Sequence, residues 1–324
     1  MKAVVQDKYG PPSVLRLEEV PVPEIGSTDV RVRVHAAGAN AGDWHLMRAD
    51  PFLIRFMFGF RGPKGRVLGS DFAGTIDAVG SDVTEFAVGD EVVGDLSGSG
   101  FGAFAEYVRV PEGAIVKKPA GLSFREAAAV PVAARTALQG LRDRGRIAPG
   151  MNVLVNGASG GVGTYAVQIA KSFGAKVTGV CSTRNVELVR SLGADEVIDY
   201  TRDDFLAWGP VFDLILDTAA FRPLLACRRA LTPQGTYVMV GGGPNRRFFQ
   251  TALLAPALSR RDGRRIELLM STANRNDLGY LVDQIEHERL RVTIDQVFPL
   301  DRVPDAIRYL ETGRARGKVV IDLT

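Results

Sequence analysis

The sequence is poor in the residues that form disulfides and metal centres. Its 324 residues include only two cysteines, Cys181 and Cys227, and three histidines. Two cysteines cannot supply a disulfide framework or a four-cysteine metal cluster. We therefore predict a chain that works in a reducing, cytoplasmic compartment.

Strong net charge and long apolar runs are also missing. A net charge of +3 is too small to predict nucleic-acid binding, and no apolar run is long enough to predict a membrane span. Residues 1–5 predict the start of a strand rather than a signal peptide. Three arginine pairs lie within 246–265, at Arg246-Arg247, Arg260-Arg261 and Arg264-Arg265. They indicate either a dock for an anionic partner or membrane surface, or a solvated helix face.

A glycine-rich loop is the most informative feature that is present. The apolar run from Val153 leads into an A-x-G-x-x-G motif formed by Ala158, Gly160 and Gly163. Such a loop lets the backbone approach a pyrophosphate, which the N–H groups of the following helix then bind. The residues predicted to cradle the pyrophosphate are Ser159, Gly160, Gly161, Val162 and Gly163.

The segments around this loop alternate between strands and helices. Apolar residues recur at helical spacing from Ala166 to Phe173, and Gly174 predicts the end of that helix. Short apolar runs predict further strands at 176–180, 196–199, 212–217, 236–240 and 266–270. Near-continuous apolar strands are typical of a parallel sheet covered on both faces. The pattern predicts an α/β fold with a doubly wound parallel Rossmann sheet.

The residues after the second strand of this sheet indicate which dinucleotide binds. An NAD site places a carboxylate there for the ribose 2′-hydroxyl. This sequence has Ser182, Thr183 and Arg184, whose hydroxyls and guanidinium suit a 2′-phosphate. We predict NADPH as the cofactor. The alternative is a polar surface turn with a solvated arginine.

The first 120 or so residues have a different pattern. Val30–Val34 alternates apolar and polar residues, and the segments at 74–79 and 91–94 have the same style. These short strands predict a small, partly open β-barrel that residues 318–322 rejoin. Ser123–Glu126 predicts a helix start with a capping box, and Pro131 a kink or restart. We predict one domain from 1–122 and 292–324, and a cofactor domain from 123–291.

Several of these segments together resemble the medium-chain dehydrogenase/reductase superfamily over essentially the whole chain. The matching segments are Ala39–Asp43, Gly69–Gly74, Phe86–Val92, Gly102–Val108, Pro131–Ala137, the glycine loop, Ser191–Asp195 and Gly317–Val320. The chain is most similar to the zinc-independent quinone oxidoreductase and enone reductase branch. This resemblance implies that the barrel domain is GroES-like.

The resemblance also has consequences for metal binding. Zinc alcohol dehydrogenases carry a cysteine in the segment matching 41–43 and a His-Glu pair at the position of Ser70-Asp71. Zinc favours thiolate and imidazole ligands, and neither is present at those positions. We expect no metal site. We expect surface or packing roles for His35, His45 and His287, of which His45 is nearest the predicted pocket.

Further site residues follow from position and from the resemblance. Tyr200 resembles the family tyrosine near the adenosine phosphate, and Gly241, Gly242 and Gly243 are expected to let the nicotinamide side approach the backbone. Asn40, Thr136 and Lys318 resemble family positions around the nicotinamide ribose and amide. Asn40 and Asp43 are the candidate catalytic residues for polarising the substrate. For Asp43, a loop cap is an equal alternative.

These observations predict an NADPH-dependent reductase of quinones or α,β-unsaturated carbonyls. An electron-poor acceptor needs only a hydride and a hydrogen-bond donor at its oxygen. Residues 51–60 hold four phenylalanines, which either line a site for a small apolar electrophile or pack beneath the barrel. The rival functions are a zinc-free alcohol dehydrogenase and a non-enzymatic NADPH-bound scaffold. An apolar last strand at the sheet edge predicts a homodimer.

Overall fold

Backbone contacts divide the chain into two units in the computed structural model, which describes residues 1–241, 245–259 and 262–324. The first unit comprises Met1–Arg135, Thr272–Glu288 and Val292–Thr324. The second comprises Thr136–Ser271 and Arg289–Arg291. These limits place 123–135 and 272–288 with the first unit, whereas the domain boundaries predicted from the sequence place them with the second. The predicted domain boundaries remain a prediction.

The described residues form fifteen strands and ten α-helices, numbered here in chain order. The strands are β1 (Lys2–Val5), β2 (Arg16–Glu19), β3 (Asp29–Ala39), β4 (Asp71–Val79), β5 (Glu91–Asp95), β6 (Tyr107–Pro111), β7 (Ile115–Lys117), β8 (Asn152–Asn156), β9 (Lys176–Cys181), β10 (Glu196–Asp199), β11 (Phe212–Asp217), β12 (Leu231–Met239), β13 (Arg265–Leu268), β14 (Ile294–Pro299) and β15 (Lys318–Asp322). The helices are α1 (Ala41–Arg48), α2 (Ile54–Phe58), α3 (Phe124–Ala128), α4 (Pro131–Gln139), α5 (Gly161–Ser172), α6 (Val186–Ser191), α7 (Leu224–Arg229), α8 (Asn245–Ser259), α9 (Arg275–Glu286) and α10 (Val303–Glu311).

The first unit contains a seven-stranded sheet in the order β14-β15-β3-β4-β5-β7, with β6 also paired to β3. All pairings are antiparallel except that of β14 with β15. In β3 the side chains of Val30, Val32 and Val34 are buried while Arg33 between them is exposed, as the predicted alternation requires. Because the strand path ends at β14 and at β7, the described strands form an open sheet rather than a closed barrel.

The second unit contains a six-stranded parallel sheet in the order β10-β9-β8-β11-β12-β13. This is the Rossmann strand order, in which the direction of winding reverses between β8 and β11. All six strands expected from the sequence are present, so the prediction of a doubly wound sheet is confirmed. Ligands bind such sheets at the carboxyl ends of the strands beside the reversal point.

Local helix signals were also correct. Ser123 begins α3 with a capping box to Glu126, and a new helix, α4, begins at Pro131. A π-helical segment, Gly140–Arg144, continues α4. Helix α5 ends just before Gly174, whose φ of +76° suits glycine.

None of the helices in the described ranges combines the length and the apolarity needed to cross a bilayer.

Candidate functional site

The glycine loop forms a cradle at the start of α5. β8 ends at Asn156, Gly157 turns the chain with φ +83°, and Gly160 caps the helix. A Cβ on Gly163 would lie 2.1 Å from the carbonyl oxygen of Gly157, so only glycine fits there. The first backbone N–H groups of a helix have no acceptor within it, and here they follow a turn in which the Gly160 N–H donates to the Gly157 carbonyl at 3.0 Å. The predicted residues 159–163 therefore lie together at the N-terminus of α5, and their binding of a pyrophosphate remains a prediction.

A buried network that the sequence reasoning missed holds the strand ends beside this cradle. The Asp217 carboxylate accepts hydrogen bonds from Asn156 Nδ2 at 2.8 Å, from the backbone N–H of Ala220 at 2.7 Å and from the Tyr237 hydroxyl at 2.8 Å. Burial raises the pKa of Asp217, and these donors oppose the change. The network joins the carboxyl ends of β8, β11 and β12. The signal in the sequence is an aspartate directly after the apolar run 214–216.

The turn after β9 carries Ser182, Thr183 and Arg184, as expected. It is tied to the glycine loop because Asn185 Nδ2 donates to Ser159 Oγ at 2.9 Å. Asn185 is buried, and its Oδ1 atom has no hydrogen-bond partner among the residues that the structure describes. An orphaned buried acceptor beside the loop fits a ligand that brings its own donor, such as a ribose hydroxyl.

A carboxylate also reaches this turn, from a strand distant in sequence. Thr183 Oγ1 donates to Asp199 Oδ2 at 2.6 Å, and Thr201 donates to Asp199 Oδ1 through its N–H at 3.0 Å and its hydroxyl at 2.8 Å. The Thr183 hydrogen bond in particular lowers the pKa of Asp199. Because Asp199 lies 16 residues from Thr183 along the chain, the residues directly after β9 give no sign of this carboxylate. The next residue, Tyr200, is 57% exposed.

The remaining predicted residues of the second unit lie within α4 and after β12. Gly241 follows β12 with open space around it, whereas Gly242 and Gly243 lie outside the described residues. Thr136 in α4 is mostly buried, and its hydroxyl donates to Ser271 Oγ at 3.1 Å.

The first unit brings Asn40 and Lys318 together around a third residue, Asp71. Asn40 follows β3, Asp71 begins β4 and Lys318 begins β15, and both of these strands pair with β3. Lys318 Nζ donates to Asp71 Oδ2 at 3.2 Å and to Asn40 Oδ1, and Asn40 Nδ2 donates to Asp71 Oδ2 at 3.0 Å. Asp71 and Lys318 are at most 2% exposed. Burial raises the pKa of Asp71, and the Lys318 charge opposes that.

Asp43 lies beside this cluster as a helix cap. Its Oδ2 accepts the backbone N–H of Asn40 at 2.7 Å, and its side chain is buried. Burial raises the pKa of Asp43 to about 7, with a smaller effect of the same sign from Asp71. The structure thus shows the capping contact of the alternative interpretation, while a catalytic role for Asp43 remains a prediction.

The donor set at this position does not suit zinc. Ser70 and Asp71 are buried where a zinc enzyme has its His-Glu pair, and the only carboxylate of the two is paired with a lysine. Within the described ranges no three His, Cys, Asp or Glu side chains gather as a metal site requires. The three histidines have protein partners: His35 contacts Thr75 Oγ1, His45 contacts the Asp50 carbonyl, and His287 contacts the Asp283 carbonyl.

The phenylalanine segment forms an exposed cluster. The rings of Phe52, Phe56 and Phe60 lie 5.8–6.3 Å apart and are 55–65% exposed. Phe58 instead contacts Phe101. The alternative in which these rings pack beneath the sheet is therefore wrong for the three exposed ones.

The arginine-rich segment is partly described. Arg264 is paired with Asp262, and Arg265 with Glu267. Arg260, Arg261 and the side chain of Arg246 lie outside the described residues. Of the three arginines whose side chains are described, Arg264 and Arg265 thus belong to local ion pairs, while Arg247 donates to Gln250 Oε1 at 3.3 Å.

A parallel sheet with a glycine cradle, together with an open antiparallel sheet, defines the class of two-unit dehydrogenases and reductases. Comparison with known families agrees. Residues 26–120 match the model of the alcohol dehydrogenase GroES-like domain, and residues 192–321 match that of the zinc-binding dehydrogenases. The prediction of a GroES-like domain is confirmed.

Similar proteins and solved structures show to which group of dehydrogenases and reductases the chain is most related. The chain is 34% identical to quinone-oxidoreductase QR1 of Triphysaria versicolor, over 99% of this chain and 98% of the relative. It is 35% identical to the NADPH-dependent alkenal/one oxidoreductase of Arabidopsis thaliana, over 99% of this chain and 79% of the relative. The structure of the Coxiella burnetii quinone oxidoreductase superposes with a TM-score of 0.89 at 32% identity, over 100% and 99%. The structure of an NAD-dependent alcohol dehydrogenase superposes with a TM-score of 0.86 at 31% sequence identity, over 100% of both chains.

The chain belongs to the medium-chain dehydrogenase/reductase superfamily, in its quinone oxidoreductase branch. It is an oxidoreductase of the quinone oxidoreductase and enone reductase kind, so both the resemblance and the predicted enzyme class are confirmed.

Proposed function

We propose that this enzyme transfers a hydride from NADPH to a quinone or an α,β-unsaturated carbonyl, without zinc. The observation that carries the proposal is the buried ion pair of Asp71 and Lys318, 3.2 Å apart. A carboxylate already neutralised by an ammonium group is a poor ligand for a second cation. An acceptor that is itself electrophilic needs no Lewis acid, and therefore suits this site.

The cofactor would be held by two parts of the second unit. The cradle of residues 159–163 would bind the pyrophosphate, and the turn of Ser182, Thr183 and Arg184 would bind the 2′-phosphate, with Tyr200 beside the adenosine. Asp199 adds a negative charge at this turn, but both its oxygens are engaged by threonines and Arg202 lies 3.7 Å away. When bound, NADPH supplies the hydride. The relative named as NADPH-dependent supports this choice.

The acceptor would be small and apolar. The exposed rings of Phe52, Phe56 and Phe60 offer a flat apolar surface, which suits a quinone or an enone. Asn40 and Asp43 stand as the proposed catalytic residues. The further proposed cofactor contacts are Asn40, Thr136, Gly241, Gly242, Gly243 and Lys318.

The test is a screen of purified protein for NADPH oxidation with quinones, alkenals, enones and aldehydes, each repeated with NADH. We expect turnover of quinones or enones, with NADPH preferred. Tight NADPH binding with no turnover of any acceptor would instead indicate a scaffold protein. Preference for NADH would show that the charge of Asp199 outweighs that of Arg184.

An alcohol dehydrogenase is the second candidate, because an NAD-dependent alcohol dehydrogenase shares this fold at 31% identity. Incubation with simple alcohols and NADP⁺ or NAD⁺ separates the two functions. Steady oxidation of alcohols, without turnover of quinones or enones, would favour this candidate over the reductase.

We also propose that the enzyme is a homodimer. β13 is the last strand of the parallel sheet and leaves one edge unpaired within the described sheet, and pairing with a second copy would cover it. Sedimentation at micromolar concentration tests this, since a monomer alone would contradict it. The compartment remains a prediction from composition.

A further inference from the structure

Asp71 is a buried carboxylate to which the proposed function gives no role in binding. It is fully buried at the start of β4, and it uses both oxygens. Oδ1 accepts the backbone N–H of Val132 at 3.1 Å, while Oδ2 accepts hydrogen bonds from Asn40 Nδ2 and Lys318 Nζ. Asp71 thus accepts three hydrogen bonds from the protein, and because its side chain is fully buried it presents no surface to a ligand.

Lys318 is saturated in the same way. An ammonium group has three hydrogens to donate, and Lys318 Nζ has three acceptors: the Ala39 carbonyl at 3.3 Å, Asn40 Oδ1 and Asp71 Oδ2. Its side chain is 2% exposed. A direct hydrogen bond from Lys318 to a cofactor would require breaking one of these contacts, at a cost in the buried interior.

Asn40 is therefore the member of the cluster that can reach a ligand, since it is only half-buried. Its amide has one favourable orientation. Oδ1 faces the ammonium group, and Nδ2 faces the carboxylate. Rotating the amide by half a turn would set its NH₂ group against Lys318 and its oxygen against Asp71, and both contacts would become repulsive.

We propose that Asp71 is a positioning residue, which acts with Lys318 to fix the side-chain amide of Asn40 so that Oδ1 presents an acceptor to the nicotinamide half of the cofactor. This inference rests on the proposed function, because it takes Asn40 as a cofactor contact. Asp71 and Lys318 then affect cofactor affinity through Asn40 and not by touching the cofactor, and for Lys318 this indirect role replaces the direct contact proposed above. An acceptor role also differs from the donor role that polarisation of a substrate oxygen would require.

Binding and stability must be measured separately, because Asp71→Asn leaves a buried ammonium without its counter-charge and lowers stability. The double variant Asp71→Asn/Lys318→Met removes both charges and should recover most of the melting temperature. NADPH affinity, measured by fluorescence titration without any acceptor, should stay about fivefold weaker in the double variant, as in Asn40→Ala, since each loses one oriented hydrogen bond. Adding Asn40→Ala to Asp71→Asn should weaken NADPH binding no further.

Asp95→Asn is the matched control, because Asp95 forms the neighbouring buried ion pair with Arg135 in the same unit. It should lower the melting temperature while leaving NADPH affinity within about twofold. If NADPH affinity returns to the wild-type value in Asp71→Asn/Lys318→Met, the role of Asp71 is purely structural. The inference then fails, while the proposed function stands. If the wild type does not bind NADPH, the proposed function fails and the inference falls with it.

Discussion

Substituting Asp43 separates its two interpretations, because a cap and a catalytic group respond differently to loss of charge. Asp43 is 2% exposed, accepts the backbone N–H of Asn40, and has its pKa raised by burial to about 7 from an ordinary value of 3.8. Asp43→Asn has the same shape, keeps an acceptor for Asn40 and cannot ionise. It therefore resembles the protonated form of the wild type.

The sign of the pH effect follows from proton binding. Between pH 3.8 and about 7 the folded chain holds a proton on Asp43 that the unfolded chain has lost. Stability therefore falls as pH rises through this window, by about 1.4 kcal/mol per pH unit. Between pH 5 and pH 8 the wild type loses about 3 kcal/mol of unfolding free energy through Asp43. Asp43→Asn does not lose it, because the amide cannot ionise. The contribution of Asp71 has the same sign but is present in both proteins.

The assay is urea unfolding of both proteins at intervals from pH 5 to pH 8. The free energy of unfolding of Asp43→Asn relative to wild type should rise by about 3 kcal/mol across this range. Turnover should persist if Asp43 is only a cap, and collapse at every pH if it is catalytic. A difference in unfolding free energy that is constant with pH would refute the reasoning from burial.

Three further changes test other parts of the site. Gly163→Ala would place a Cβ 2.1 Å from the Gly157 oxygen, so it should cost about 1–3 kcal/mol in unfolding free energy and weaken NADPH binding; a stable variant with normal affinity would contradict the cradle. Arg184→Ala should weaken NADPH about tenfold in a fluorescence titration and leave NADH unchanged; an equal loss for both would indicate a general packing effect. Removing the exposed rings in Phe56→Ala/Phe60→Ala should raise KM for apolar quinones with little change in melting temperature; an unchanged KM would place the acceptor elsewhere.

Much of the fold could be predicted, because each strand is marked by a pattern of neighbouring residues in the sequence. The observed bounds of β10, β11 and β15 match the expected 196–199, 212–217 and 318–322 residue for residue. The sequence predicts that β12 begins at residue 236, because Pro233 and Gly235 indicate a turn just before it. In the structure β12 begins at Leu231. Parallel pairing with β11 at both ends of that stretch overrides the local signal.

The site was less predictable, because its geometry depends on contacts between residues far apart in sequence. The glycine cradle was found, since its residues are contiguous. Asp199 and Thr183 are 16 residues apart, and Asp71 and Lys318 are 247 apart. Nothing in the local sequence indicates that either pair meets. The fold thus added a carboxylate to the predicted phosphate turn, and gave Lys318 partners that leave it no free hydrogen.

The most direct test of direct hydride reduction is transfer of deuterium from NADPH labelled on both faces of nicotinamide C4. Chelator-treated enzyme is incubated with an enone, and the product is analysed by mass spectrometry. Direct hydride transfer without zinc predicts one deuterium on the β-carbon of the saturated product, with the rate unaffected by chelation. A product without deuterium, or activity that chelation abolishes and added zinc restores, would contradict it.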